Sequence, residues 1–128
     1  KKLFFFNKKF VMISKKINIV FKYDKYHNLC NYVERNITGD LLALYTYNYK
    51  NQSMIRFDRE NQIRIFTQYD EPCKLVQKYD SGESWIKIVP FENNINEYQN
   101  PKIKKQFALN NENQIVRFSF QQYLIQDF

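Results

Sequence analysis

Glycine is nearly missing from this chain. Its 128 residues hold two, Gly39 and Gly82. Phosphate-binding loops and dinucleotide folds need several, so that backbone amides can approach the phosphates. Both are thereby excluded. The three prolines stand apart, and no stretch is rich in Gly, Ser or Pro. A flexible linker is therefore not expected, and the length suits one domain with one modest core.

Cysteine and histidine are as scarce. Cys30 and Cys73 allow one disulfide at most, far below the density of a small secreted module. Two reduced, largely buried thiols are expected, which fits a reducing compartment. The single histidine, His27, forms H-x-x-C with Cys30. Zinc takes at least three protein ligands, and Cys73 is the one other thiol. No metal or cofactor is expected, and no Cys–His nucleophilic pair is signalled. The carboxylates Asp40, Asp58, Glu60, Asp70, Glu71, Asp80 and Glu83 stand singly, most of them at turns, where solvation and turn hydrogen bonds account for them. No catalytic constellation follows, and the chain reads as a non-enzyme.

Long apolar runs are missing too. Leu3–Phe6 gives four residues before Asn7, Lys8 and Lys9 interrupt. A secretory signal needs about 7–15 such residues, and a membrane-spanning helix about 20. Neither is expected. A mitochondrial presequence is acid-poor, as here, but rich in arginine and serine, and this opening has no arginine.

Aromatic residues and positive charge are what the chain has. Lys, Asn, Ile, Phe and Tyr make up about half of it. All five have A/T-rich codons, so the composition partly reports an AT-rich genome. Together with the acid-poor start, this places the expectation inside a cell, in a mitochondrion or similar organelle. The net charge is +7. Residues 1–26 carry eight lysines against Asp24 alone, and the rest of the chain balances twelve cations with twelve acids. A basic segment beside a neutral body suits an anionic partner, either a nucleic-acid backbone or a membrane surface. Contact is expected at Lys1, Lys2, Phe4, Phe5, Phe6, Lys8, Lys9, Lys15, Lys16, Lys22 and Lys25. Arg56 and Arg64, which flank Phe57 and Phe66, repeat the theme: cations for phosphates and rings for bases.

The pattern of elements predicts an α+β domain. Residues 1–9 read as a basic aromatic arm and 10–128 as the domain. Phe10–Ile13 and Ile17–Tyr23 read as strands, the second alternating with period two. Tyr26, Leu29, Cys30 and Val33 fall at i, i+3, i+4 and i+7, so the spacing predicts one helix over 25–36, capped by Asp24 and stopped at Gly39. Leu41–Tyr49, MIRF, QIRIFTQY, CKLVQKY and SWIKIVPF read as a meander joined at Asp58–Asn61 and Asp80–Glu83. Asn100-Pro101 opens a possible short helix through Ile103 and Phe107, and Gln114–Ile125 reads as a last strand. The expectation is an antiparallel meander sheet of five to seven strands with that helix packed on it. The element order resembles cystatin-like and helix-grip architectures, a likeness of order alone. The alternative fold is a small all-β barrel, OB-like.

Three functions suit this outline. The first is a non-catalytic accessory subunit of a larger assembly, whose arm contacts RNA, other single-stranded nucleic acid or neighbouring protein subunits. The second is a peripheral subunit of a membrane-bound complex, touching anionic lipid through the Phe/Lys arm. The third is a small-molecule binder that uses a concave sheet face with Tyr45, Tyr47, Tyr49 and Trp85. Asn36-Ile-Thr38 and Asn51-Gln-Ser53 match the glycosylation pattern, a match that chance supplies in so asparagine-rich a chain.

Overall fold

The computed structural model describes the backbone of residues 2–6, 9–13, 17–80, 83–92, 101–120 and 124–127, and the side chains of 17–78, 85–92 and 101–118. Twelve strands occur there: β1 (Lys2–Phe6), β2 (Lys9–Ile13), β3 (Ile17–Tyr23), β4 (Leu29–Asn36), β5 (Leu41–Asn48), β6 (Ser53–Asp58), β7 (Ile63–Tyr69), β8 (Cys73–Asp80), β9 (Glu83–Pro90), β10 (Ile103–Leu109), β11 (Ile115–Phe120) and β12 (Leu124–Asp127). The described residues contain no helix. The protein is all-β, which corrects the α+β expectation.

The helix over 25–36 is replaced by a tight turn and β4. Both Tyr26 and Asn28 donate their backbone N–H to Asp24 Oδ1, each at 2.9 Å. Asp24 therefore caps a turn. His27 then takes a left-handed φ of 66°, which no helix accommodates. Beyond it, Leu29–Asn36 pairs with β3 on one side and β5 on the other. Two full ladders outweigh the modest gain of one amphipathic helix. The short helix through Ile103 and Phe107 fails for the same reason, since those residues lie in β10, held between β7 and β11. The last strand, expected over Gln114–Ile125, is split into β11 and β12.

Strands β1 to β7 follow one another as an antiparallel meander, and β10, β11 and β12 extend it beyond β7. The ends of this path, β1 and β12, do not pair. The sheet stays open, so the barrel alternative is also corrected. The hairpin β8–β9 leaves the meander after β7 and folds back across one face. It meets β4 at a single register pair, Leu29↔Leu75.

That crossing makes the core. Register partners in an antiparallel pair share a face, and Phe21↔Tyr32, Tyr32↔Tyr45 and Tyr47↔Met54 place these residues on the face beneath the hairpin. Phe21 and Cys73 are fully buried, and Leu75 and Tyr47 are each 3% exposed. Ile86 and Ile88 of β9 pack on the same cluster. The rings meet edge to face, with centroids 5.1 Å apart for Phe21–Tyr32 and 4.6 Å for Tyr47–Tyr49, a favoured arrangement of ring quadrupoles.

Tyr49 secures the crossing. Its hydroxyl donates to the Leu29 carbonyl at 2.6 Å and accepts the Leu75 N–H at 3.3 Å. At that point β5 has ended and β8 has just reached β4, so the phenol supplies the hydrogen bonds a longer strand would make.

The shortage of glycine shows in the turns. Among the described residues, the left-handed positions of the hairpin connections are filled by His27, Gln52, Gln62 and Asn113, and by Gly39 with φ of 90°. Three-residue and longer hairpin loops need one such residue to match strand twist. The pattern N-x-S/T also has a local use here. Asn36 Oδ1 accepts from the Thr38 N–H, the Thr38 hydroxyl and the Asp40 N–H, and Ser53 donates its hydroxyl to Asn51 Oδ1.

Candidate nucleic-acid interface

The face away from the hairpin is uncovered by any described element. Register fixes its membership. Val20↔Val33↔Leu44 and Thr46↔Ile55↔Phe66↔Phe107↔Phe118 form two rows across β3 to β11. Phe57 stands beside them, opposite Arg64, which in turn opposes Leu109. These apolar side chains are half-buried, and Ile55 is exposed. Phe66 and Phe107 stack with centroids 4.7 Å apart and planes at 22°. Lys105 holds its ammonium 6.0 Å from the Phe66 ring centre, within cation–π range.

Charge on this face has one sign. Lys22, Arg35, Arg64 and Lys105 lie on it by register, and no Asp or Glu does among the described residues. Glu34 points to the other side, where Tyr32 donates its hydroxyl to it. Asp58 stands opposite Ile63 and binds Asn61 within its turn. Hydrogen bonds from Asn61 hold the Asp58 carboxyl below its ordinary range, as Asn36 and Thr38 do for Asp40. Asp40 and Asp58 are thus engaged within their turns.

The residues expected from the sequence divide as follows. Lys1, Lys8, Lys15 and Lys16 lie outside the described residues. Lys2, Phe4, Phe5 and Phe6 fall in β1 and Lys9 in β2, with Phe6 opposite Lys9 and Lys9 opposite Lys22. Lys2, Lys9 and Lys22 therefore stand one on each of the sheet's first three strands. Lys22 is exposed on β3, and Lys25 is exposed in the following turn with its ammonium 5.0 Å from the Tyr26 ring centre. Of the second pair, Arg64 joins Phe57 and Phe66 on the open face. Arg56 lies on the opposite face across from Tyr45, at a small cavity of about 90 Å³ shared with Ile65, Ala108 and Arg117. Phe107, Lys105 and Phe118 were missed. Nothing local marks them, because only the pairing of β10 between β7 and β11 brings them beside Phe66.

The other candidate groups are placed without converging. His27 is exposed in its turn. Cys30 donates its thiol to the Lys22 carbonyl, and Cys73 is buried in the core. Burial pushes the Cys73 thiol up to about 11 and raises Cys30 as well, the reverse of what a nucleophile needs. Tyr47 and Tyr49 are occupied in the core, so the face proposed for a small ligand is where the hairpin packs. Trp85 lies on β9 between Lys78 and Lys87, whose ammonium groups are 5.4 and 4.8 Å from the ring centre. Among the described residues no helix is long and apolar enough to cross a membrane.

The chain matches no family model, no curated protein and no solved structure.

Proposed function

We propose that this protein is a non-catalytic binding subunit of a larger assembly, and that its open sheet face is a platform for single-stranded RNA. One observation carries the reading. Lys22, Arg35, Arg64 and Lys105 share that face with Phe57, Phe66, Phe107 and Phe118, and among the described residues no carboxylate accompanies them. Single strands are held by cations tracking the phosphates and by rings on which bases stack, and an open sheet face presents both at once. By register, Lys9 on β2 continues the row from Lys22. An all-cationic face also argues against self-pairing, since two copies would oppose like charges.

Salt dependence tests this. Each phosphate contact on a single strand contributes about 0.7 to the slope of log K against log salt. Four contacts give a slope of about −3, or roughly a fifty-fold loss between about 50 and 200 mM salt. The Arg64→Ala/Lys105→Ala variant should halve that slope. Phe66→Leu should weaken binding by about 1–3 kcal/mol, the measured worth of one base stacked on a ring, with little change in slope. Binding of an unstructured RNA oligonucleotide, followed by fluorescence anisotropy, reads both. An unchanged slope in the double variant refutes the platform. Preference for anionic liposomes over RNA transfers the surface to a membrane partner.

A further inference from the structure

The open face ends in a cleft that the platform itself does not require. It has a volume of about 760 Å³, within the usual size of small-molecule sites. It sits where β3, β4 and β5 meet their turns. Lys22, Asn31, Thr46 and Asn48 line it from the face, and Tyr26, Asn28, Lys50 and Phe91 close it from the turns.

Its groups can be sorted by what they already do. Asp24 accepts the two turn N–H groups, and Tyr49 spends its hydroxyl on Leu29 and Leu75. These two are structural. Asn31 donates its amide to Thr46 Oγ1 at 2.8 Å, which leaves its carbonyl oxygen to accept. Asn48 accepts the Lys50 N–H through Oδ1, which leaves its NH₂ to donate. Two rings border the space with much of their surface in water: Tyr26 is 70% exposed and Phe91 39%. The Phe91 ring lies 5.8 Å from that of Tyr49. Lys22 and Lys50 outnumber the turn-bound Asp24.

Flat apolar rings, an amide donor beside an amide acceptor, and two ammonium groups suit one chemistry. The rings take a planar heterocycle, the amides read its hydrogen-bonding edge, and the lysines take a phosphate. A neutral sugar would leave both lysines unused, and a bare phosphate would leave the rings unused. We infer that this cleft binds one phosphorylated nucleotide, either free or as the 5′-phosphorylated end of the strand lying on the sheet. The second form rests on the platform reading above, and the first does not.

The test uses the full chain and four probes. Adenosine monophosphate and inorganic phosphate are titrated by calorimetry, and a 5′-phosphorylated RNA oligonucleotide is compared with its 5′-hydroxyl form by anisotropy. Lys50→Ala and Tyr26→Ala alter exposed turn residues, and their melting curves confirm folding. The nucleotide should bind more tightly than phosphate by tenfold or more, and each variant should weaken it at least five-fold. Phe66→Leu should leave nucleotide binding unchanged. Nucleotide binding without RNA binding upholds the cleft and overturns the platform. RNA binding that ignores the 5′-phosphate and both cleft variants, with no nucleotide binding, upholds the platform and overturns the cleft. Equal affinity for nucleotide and phosphate also overturns it.

Discussion

Removing one oxygen atom should loosen the whole architecture. Tyr49→Phe keeps the ring against Tyr47 and Phe91 and deletes only the hydroxyl that joins Leu29 to Leu75. The Leu29 carbonyl loses a short 2.6 Å donor, and the Leu75 N–H loses an acceptor at 3.3 Å. Leu29 and Leu75 are buried, 4% and 3% exposed, so water cannot freely replace either partner. A buried group left unpaired costs about 1–3 kcal/mol. The longer bond counts at the low end, so the pair should cost about 2–4 kcal/mol. Total stability for a domain of this kind is about 5–15 kcal/mol, which makes the loss a large share. Urea unfolding should show the midpoint falling with m unchanged. Amide exchange should rise first at Leu75, where the hairpin meets β4. A change below about 0.5 kcal/mol, the usual span of inconsequential surface substitutions, would refute the claim that this phenol holds the hairpin to the sheet.

Three further outcomes follow from the same structure. Tyr47→Phe should raise the melting temperature by a few degrees. The buried Tyr47 hydroxyl makes no hydrogen bond of good geometry, its polar neighbours being the backbone and thiol of Cys73, so the variant removes a desolvation cost of about 1–3 kcal/mol. A melting temperature lowered by the change would sink this. Gln52→Gly should be stabilising by about 0.5–1 kcal/mol, because a left-handed residue other than glycine costs about 1–2 kcal/mol, partly offset by unfolded-state entropy. Gln52→Val, β-branched at φ of 57°, should destabilise, and chemical denaturation separates the two. Alkaline pH should destabilise the protein. The Cys73 thiol ionises near its ordinary value of 9.0 in the unfolded chain and about 11 when folded. Its contribution is complete below the first value and is lost as pH rises through the second. Cys73→Ala should reduce the loss of stability over that window. Part of that loss belongs to the Tyr47 and Tyr49 phenols, whose pKa values burial also raises. A flat wild-type profile would count against the buried thiol.

The sequence by itself determined the strands of the middle, their hairpin turns and the one-sided charge of the opening. Ile17–Tyr23, Leu41–Asn48 and the pair around Asp58–Asn61 are set by local alternation and polar turns, which act over a few residues. It also excluded glycine-dependent phosphate loops by composition alone. Only the tertiary structure decided the identity of residues 25–36. Tyr26, Leu29, Cys30 and Val33 satisfy a helical period, and Leu29–Asn36 satisfies a strand equally well once β3 and β5 flank it. Local pattern does not contain those neighbours. The faces were likewise undecided, because both sides of the strands are apolar: Val20 beside Phe21, Leu44 beside Tyr45, Ile65 beside Phe66. What separates them is the β8–β9 hairpin. It buries Phe21, Tyr32 and Tyr47 beneath it and leaves Val33, Ile55, Phe66 and Phe107 outside. The candidate interface exists for the same reason. Phe66, Phe107 and Phe118 are far apart in the chain and become one surface only through the ladder joining β7, β10 and β11, a long-range pairing set by the fold as a whole.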